Sequence, residues 1–249
     1  MQANVISFKP TTNTQAKLST VCLDIETMTA PDDVINQELA LFKAPANYKS
    51  PEAIAKSRAE FEAKVREKSA LLDGAPISVI ALSDEQGDVV TFTWLNVEGD
   101  TMLENGVYSL RYDSERDMLV GLRAWANDCL DEQSRIVGFN LGFDLPHLRL
   151  AYARHGLKLP LFLMPWTANP TTDVMHVFTR FFSSKDSQFI SLDEVTKRLG
   201  IAPEGKQLSG SDVPKYIEEG KHLDVVLYCG LDTVLTMKAF QILMGEIGD

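Results

Sequence analysis

The chain has 249 residues, which suits one sizeable domain or one domain carrying an insertion. Its 45% hydrophobic residues supply an ordinary core and exclude disordered, collagen-like and disulfide-rich miniprotein classes. A net charge of −11 argues against a long nucleic-acid footprint, which needs clustered Lys and Arg, but leaves room for an enzyme that holds a short single-stranded end through metal ions.

No stretch reaches the roughly 18–20 uninterrupted apolar residues of a membrane span, because Asp224, Asp232 and Lys238 break the apolar C-terminal region. The opening MQANVISFKPTTNTQAKLS has no apolar signal core and reads as a polar lead-in. Cys22, Cys129 and Cys229 are odd in number and form no CxxC pair. Neither a zinc site nor a disulfide framework is expected, and the cytoplasm is the natural compartment.

The first predicted element is a strand over Leu18–Ile25 (LSTVCLDI), with Cys22, Asp24 and Glu26 at period two. Residues 30–49 read as loop with at most a short helix. Ser50 before Pro51 then starts a long, charged helix reaching Leu72, a solvated surface helix with a thin apolar stripe through Ile54, Phe61, Val65 and Leu72. Strands follow at Ile77–Ser83, Val89–Leu95 and Val107–Tyr112. Turn signals at Glu85–Gly87 and Glu104–Gly106 separate them and predict an antiparallel meander. Helical spacing covers Ser114–Leu130, a short buried strand Ile136–Phe139, and a helix Gly142–His155 with Pro146 in its first turn. Thr172–Phe178 reads as a strand, 183–188 as a polar hairpin or loop, and Ser191–Leu199, Val213–Glu219 and Leu223–Ile247 as helices. The fold class expected is α/β, a mixed sheet flanked by helices, in one domain over 1–249 with a core at about 18–240 and an insertion at 30–75.

Three acidic signals carry the chemistry. Asp24 and Glu26 end the first strand; side chains two apart share a face, so the two carboxylates repel unless a cation lies between them. Hard oxygen donors of this kind suit Mg²⁺ or Mn²⁺. In IVGFNLGFDLPHL a short strand turns through Asn140 and Gly142 into a helix near Asp144, with Phe139 and Phe143 beside the turn. On the last helix Tyr228 and Asp232 stand four residues apart, hence on one side. Each signal alone has a structural explanation. Together they match what two-metal phosphodiester hydrolysis needs, with cations about 3.5–4 Å apart activating water and stabilising the leaving 3′ oxygen.

These motifs resemble those of the DEDD superfamily of 3′→5′ exonucleases. Asp24 and Glu26 in LDIET match its first motif, Asn140, Phe143 and Asp144 in GFNLGFD its second, and Tyr228 and Asp232 in YCGLD its third. The Tyr-x3-Asp spacing is that of the tyrosine subclass; a histidine-subclass member would have His where Leu227 stands. SLDEVTKRLGI, the GK at 205–206, SGSDV and YCGLD occur in the order of the stand-alone exonucleases related to the proofreading domain of family B DNA polymerases, and the resemblance spans about 18–240. It implies a ribonuclease H-like fold and two divalent metal ions, Mg²⁺ or Mn²⁺, held by Asp24, Glu26, Asp144 and Asp232. It further implies a water-orienting role for Tyr228, since a phenol of ordinary pKa about 10 is a poor base at neutral pH. Asn140 and Phe143 would contact the terminal nucleotide, Phe143 by stacking, and Thr27 and Met28 would offer backbone contacts to the 3′ end.

Lys206, in a turn beside the last motifs, is a further phosphate-contact candidate. Arg149, Arg154 and Lys158 would line one helix as a modest electropositive strip. His147, His155, His176 and His222 lack zinc spacing, His147 reads as packed or surface-exposed, Asp173 as structural, and Asp193 with Ser191 as a helix-start cap. The expected partner is the 3′ end of single-stranded DNA. RNA end trimming and a non-catalytic nucleic-acid-binding module of the same fold are the alternatives.

Overall fold

The β-branched and apolar run Thr20–Thr27 forms strand β1, the axis of the fold in the computed structural model, which describes residues 17–103, 106–165, 169–183, 189–201 and 208–245. Beside it lie β2 (Ile77–Asp84) and β6 (Arg135–Gly138). The remaining strands are β3 (Val89–Thr93), β4 (Thr101–Met102), β5 (Val107–Arg111) and β7 (Thr171–Asp173). They make one seven-stranded mixed sheet in the order β4-β5-β3-β2-β1-β6-β7. β1, β2 and β3 pair antiparallel, whereas β6 runs parallel to β1 and β7 parallel to β6.

The expected meander stops at β3, because β5 pairs with β3 in parallel, Val89 opposite Val107 through Thr93 opposite Arg111. Segment 94–106 is too long for a tight turn and carries the chain back along the sheet, so β5 enters in the same direction as β3. Within that segment β4 supplies the antiparallel partner of β5 at the sheet edge.

Helices cover both faces. On one side α3 (Glu115–Cys129) and α4 (Leu141–Arg154) bury Met118, Leu122, Leu148 and Tyr152 against Val21, Leu23 and Ile25 of β1. Across the sheet, α6 (Leu192–Arg198), α7 (Val213–Glu218) and α8 (His222–Met244) close over Cys22, Val79 and Ala81. Alternation along β1 therefore sends Val21, Leu23 and Ile25 one way and Cys22 the other. Among the described residues α8 alone is long and apolar enough to cross a membrane, despite Asp232 and Lys238; 67% of its most apolar window is buried inside the protein.

Hydroxyl caps start three helices where the sequence placed them. Ser50 accepts the Ala53 amide at the head of α2 (Pro51–Glu67), Ser114 the Asp117 amide and Ser191 the Glu194 amide. α2 is shorter than expected: it stops at Glu67, and a 3₁₀ turn at Ser69–Leu71 precedes Leu72. With α1 (Asp32–Leu39) it forms a satellite around Ile35, Val65 and Ala75, so its apolar stripe is partly covered. The strand expected over Thr172–Phe178 also ends early, at Asp173. The Asp173 carboxylate accepts the amides of Met175 and His176, which starts α5 (Val174–Val177) and overrides the β-branched propensity of the segment. The hairpin or loop expected at 183–188 lies outside the described residues but for Ser183.

Candidate active site

Asp24 and Glu26 project from the end of β1 on the side of α8. Asp24 is half-buried and Glu26 only 9% exposed. The Cys229 sulfur, on α8, stands 3.4 Å from Asp24 Oδ2, and ligand atoms of Asp24, Glu26 and Cys229 all lie within 4.8 Å of one another.

Asp144 arrives from the other side of the sheet. β6 stays in register with β1 only as far as Val137 opposite Cys22, then turns away after Gly138. A Cβ on Gly138 would stand 2.3 Å from Leu141 Cδ2 and 3.0 Å from the Leu23 carbonyl oxygen, so the packing of Leu141 over the strand end leaves room for glycine there. The turn is made by Asn140 in the left-handed region (φ 67°, ψ 46°), a conformation Asn tolerates better than most residues. Asp173 fixes it by accepting the Asn140 amide at 3.1 Å. α4 then begins at Leu141, earlier than expected. Pro146 is therefore not in the first turn but further inside, where it cannot donate to the Gly142 carbonyl.

Asp144 is 3% exposed and accepts from the backbone amides of Ile25 and of Asp144 itself. The Ile25 amide lies past the point where β6 leaves the ladder, so the carboxylate replaces a strand as its partner. Burial raises the Asp144 pKa well above the usual carboxylate value, and the neighbouring charge of Asp24 adds to it against the two amide hydrogen bonds.

Tyr228 and Asp232 complete the cluster from α8. Asp232 is 7% exposed, and its carboxylate accepts a hydrogen bond from the Tyr228 hydroxyl. Burial, then the charges of Asp232, Glu26 and Asp24, push the phenol far above its ordinary value, so it remains a hydrogen-bond donor. A Cβ on Gly210 of the SGSDV turn would stand 3.8 Å from that hydroxyl, which places the turn over Tyr228. Burial likewise raises the Cys22 thiol, and the charges of Asp24, Asp144 and Asp232 all act on it. Among the described residues Asp24 and Glu26 share a close cluster with Cys229 alone, while Asp144 and Asp232 stand near enough for their charges, with that of Asp24, to act on the Cys22 thiol.

No family model matches this chain, and no curated protein matches it.

The residues named for substrate contact are more dispersed in role. The Thr27 hydroxyl donates to the Ala70 carbonyl at 2.6 Å, and the Met28 amide donates to the Pro76 carbonyl at 2.8 Å. Both groups serve the fold. The Met28 side chain is half-buried against the cluster of Leu95 and Val213. Phe143, one residue before Asp144, is half-buried with its ring on that of His147, centroids 4.0 Å apart. His147 is buried between two carbonyl oxygens, Phe143 O at 2.9 Å and Leu72 O at 3.3 Å, a packed position. Lys206 lies outside the described residues.

The electropositive strip expected along one helix does not form. Arg149 Nε donates to the Leu163 carbonyl and Arg154 pairs with Glu115 through both carboxylate oxygens, while Lys158 lies beyond the end of α4. The strip failed because spacing along a helix reports a shared side and not what that side packs against. His155 also pairs with Glu115, His176 with Asp173, and His222 accepts the Asn96 amide. Cys229 is the residue that sequence reasoning missed. Its place between Tyr228 and Asp232 did not by itself distinguish it from a buried apolar residue of the helix.

Proposed function

We propose that the chain is a metal-dependent 3′→5′ exonuclease that hydrolyses phosphodiester bonds at the 3′ end of single-stranded DNA, with a ribonuclease H-like fold. What supports this reading is the close pair of carboxylates, Asp24 and Glu26, at the end of β1, with Asp144 of α4 and Asp232 of α8 near enough for charge coupling and Tyr228 hydrogen-bonded to Asp232. The mixed seven-stranded sheet with helices on both faces is compatible with the fold that the three motifs imply.

The donor set fits Mg²⁺ or Mn²⁺. Asp24, Glu26, Asp144 and Asp232 offer hard oxygens, and their mutual repulsion in a poorly hydrated space is what bound cations relieve. The nearby Cys229 sulfur is a soft donor, poorly matched to Mg²⁺ or Mn²⁺ beside four hard carboxylates. Two such ions, when bound, supply activation of the attacking water and stabilisation of the leaving 3′ oxygen.

The protein's own groups do the positioning. The four acids hold the ions, and the Tyr228 hydroxyl orients the water by hydrogen bonding. Phe143, seated on His147, offers a ring face to the terminal base, and Asn140 a side-chain amide to the same nucleotide. With 5′-labelled single-stranded DNA and Mg²⁺ or Mn²⁺, a ladder shrinking from the 3′ end is expected, and none with Asp24→Ala. Faster shortening of a matched RNA would reassign the substrate. DNA retarded on a gel but uncut under every metal, with RNA also intact, would leave a binding module.

A further inference from the structure

The geometry points to a role for Cys229 that none of the three motifs assigns: it is a positioning residue whose thiol holds Asp24 and fixes the angle at which that carboxylate meets a divalent cation. The inference rests on the metal-dependent reading of the site and deepens it.

Two contacts carry it. The Cys229 sulfur is 3.4 Å from Asp24 Oδ2 and 3.7 Å from the Asp24 main-chain oxygen, both within hydrogen-bond reach for sulfur. Both partners are acceptors, so the thiol serves as donor, and its one proton favours the nearer carboxylate oxygen, Asp24 Oδ2. Cys229 is fully buried in the apolar cluster that includes Val79, Ala81, Val225 and Val226, with a Glu26 carboxylate oxygen within 4.8 Å of its sulfur. A thiol suits a position with hydrocarbon on one side and a carboxylate on the other, being a small hydrophobe with a weak donor. Asp24 stands on a strand and Cys229 on α8, so the contact also ties the β1 acids to the helix that brings Asp232.

Partners behind a metal ligand typically change affinity or activity about 10–100-fold when removed. The test is Mn²⁺ binding to the full chain by electron paramagnetic resonance, with Asp24→Ala as the no-site control and thermal melting to confirm folding. Three substitutions separate positioning from packing. Cys229→Ala removes donor and volume, Cys229→Val fills the volume without a donor, and Cys229→Ser keeps a donor.

Positioning predicts that Cys229→Ala and Cys229→Val bind Mn²⁺ about 10-fold more weakly or worse, while Cys229→Ser stays within about 3-fold of the native chain. Nuclease titrations against Mn²⁺ should shift in the same order. The reverse order, with Cys229→Val near native and Cys229→Ser impaired, would make Cys229 a packing residue and overturn the inference. Equal binding by all three would do the same. Mn²⁺ binding that follows the expected order without DNA or RNA cleavage would sink the exonuclease reading and leave the role of Cys229 standing. A native chain that binds no Mn²⁺ would sink both.

Discussion

Asp144 is buried beside Asp24, so ionising both without a cation puts two negative charges into poorly solvated space. Because the folded-state pKa of Asp144 is raised, the native chain holds a proton that the unfolded chain gives up earlier. Without metal, stability therefore falls as pH rises from the ordinary Asp range through that raised value. Asp144→Asn keeps an oxygen for the Ile25 amide and removes the charge. At pH 7 in EDTA the variant should be more stable than the native chain by about 1–2 kcal/mol, the usual sign when a functional conflict is removed. Its melting temperature should also respond less to Mg²⁺ or Mn²⁺, and nuclease activity should be lost. A melting temperature in EDTA below that of the native chain would show that the carboxylate is a net structural asset. At this scale the pairing of Asp24 with Glu26 and of Tyr228 with Asp232 was legible because a strand shares faces every second residue and a helix every third or fourth. Cys229 was not, since a single cysteine in a helix looks like any buried apolar residue until its neighbour across the sheet is known.

Glu115 shows how one side chain can lock three elements. It opens α3, accepts the Ile77 amide that starts β2 at 2.8 Å, and pairs with Arg154 and His155 at the end of α4 at 2.8 and 2.7 Å. Glu115→Ala would leave the buried Ile77 amide without its acceptor and two basic groups without a counter-charge. The expected cost is about 2 kcal/mol, below that of a fully buried pair because Arg154 is 31% exposed and screened by water. Glu115→Gln keeps one acceptor for Ile77 and should lose about half as much. Urea midpoints would decide, with an Ala variant equal to the native chain removing Glu115 from the joint. Helix starts were legible from Ser50, Ser114 and Ser191, because capping is local chemistry. The direction of β5 and the switch at Asp173 were not: a long connection decides the first, and a carboxylate facing its own following amides decides the second.

On the proposed exonuclease reading, the charge of the whole molecule constrains how it would meet a nucleic acid. Net charge is −11, and the two arginines in the later part of α4 are engaged, Arg149 with the Leu163 carbonyl and Arg154 with Glu115. Electrostatic attraction for a nucleic acid must then be local, made where cations neutralise the acid cluster, instead of spread along a basic groove. Each phosphate neutralised by protein contributes a slope of about −0.7 to log K against log salt on single strands. A footprint of two or three phosphates gives a total slope of about −1.4 to −2.1 by that rule, far shallower than a long-groove binder. The measurement is a salt series of oligonucleotide affinity with the native chain, Ca²⁺ replacing Mg²⁺ and Mn²⁺ so that cleavage does not intervene. A slope steeper than about −4 would require six or so phosphate contacts and hence a basic track elsewhere on the chain. A shallow slope with affinity that scales with divalent concentration is what an acidic protein gripping only a strand end should give.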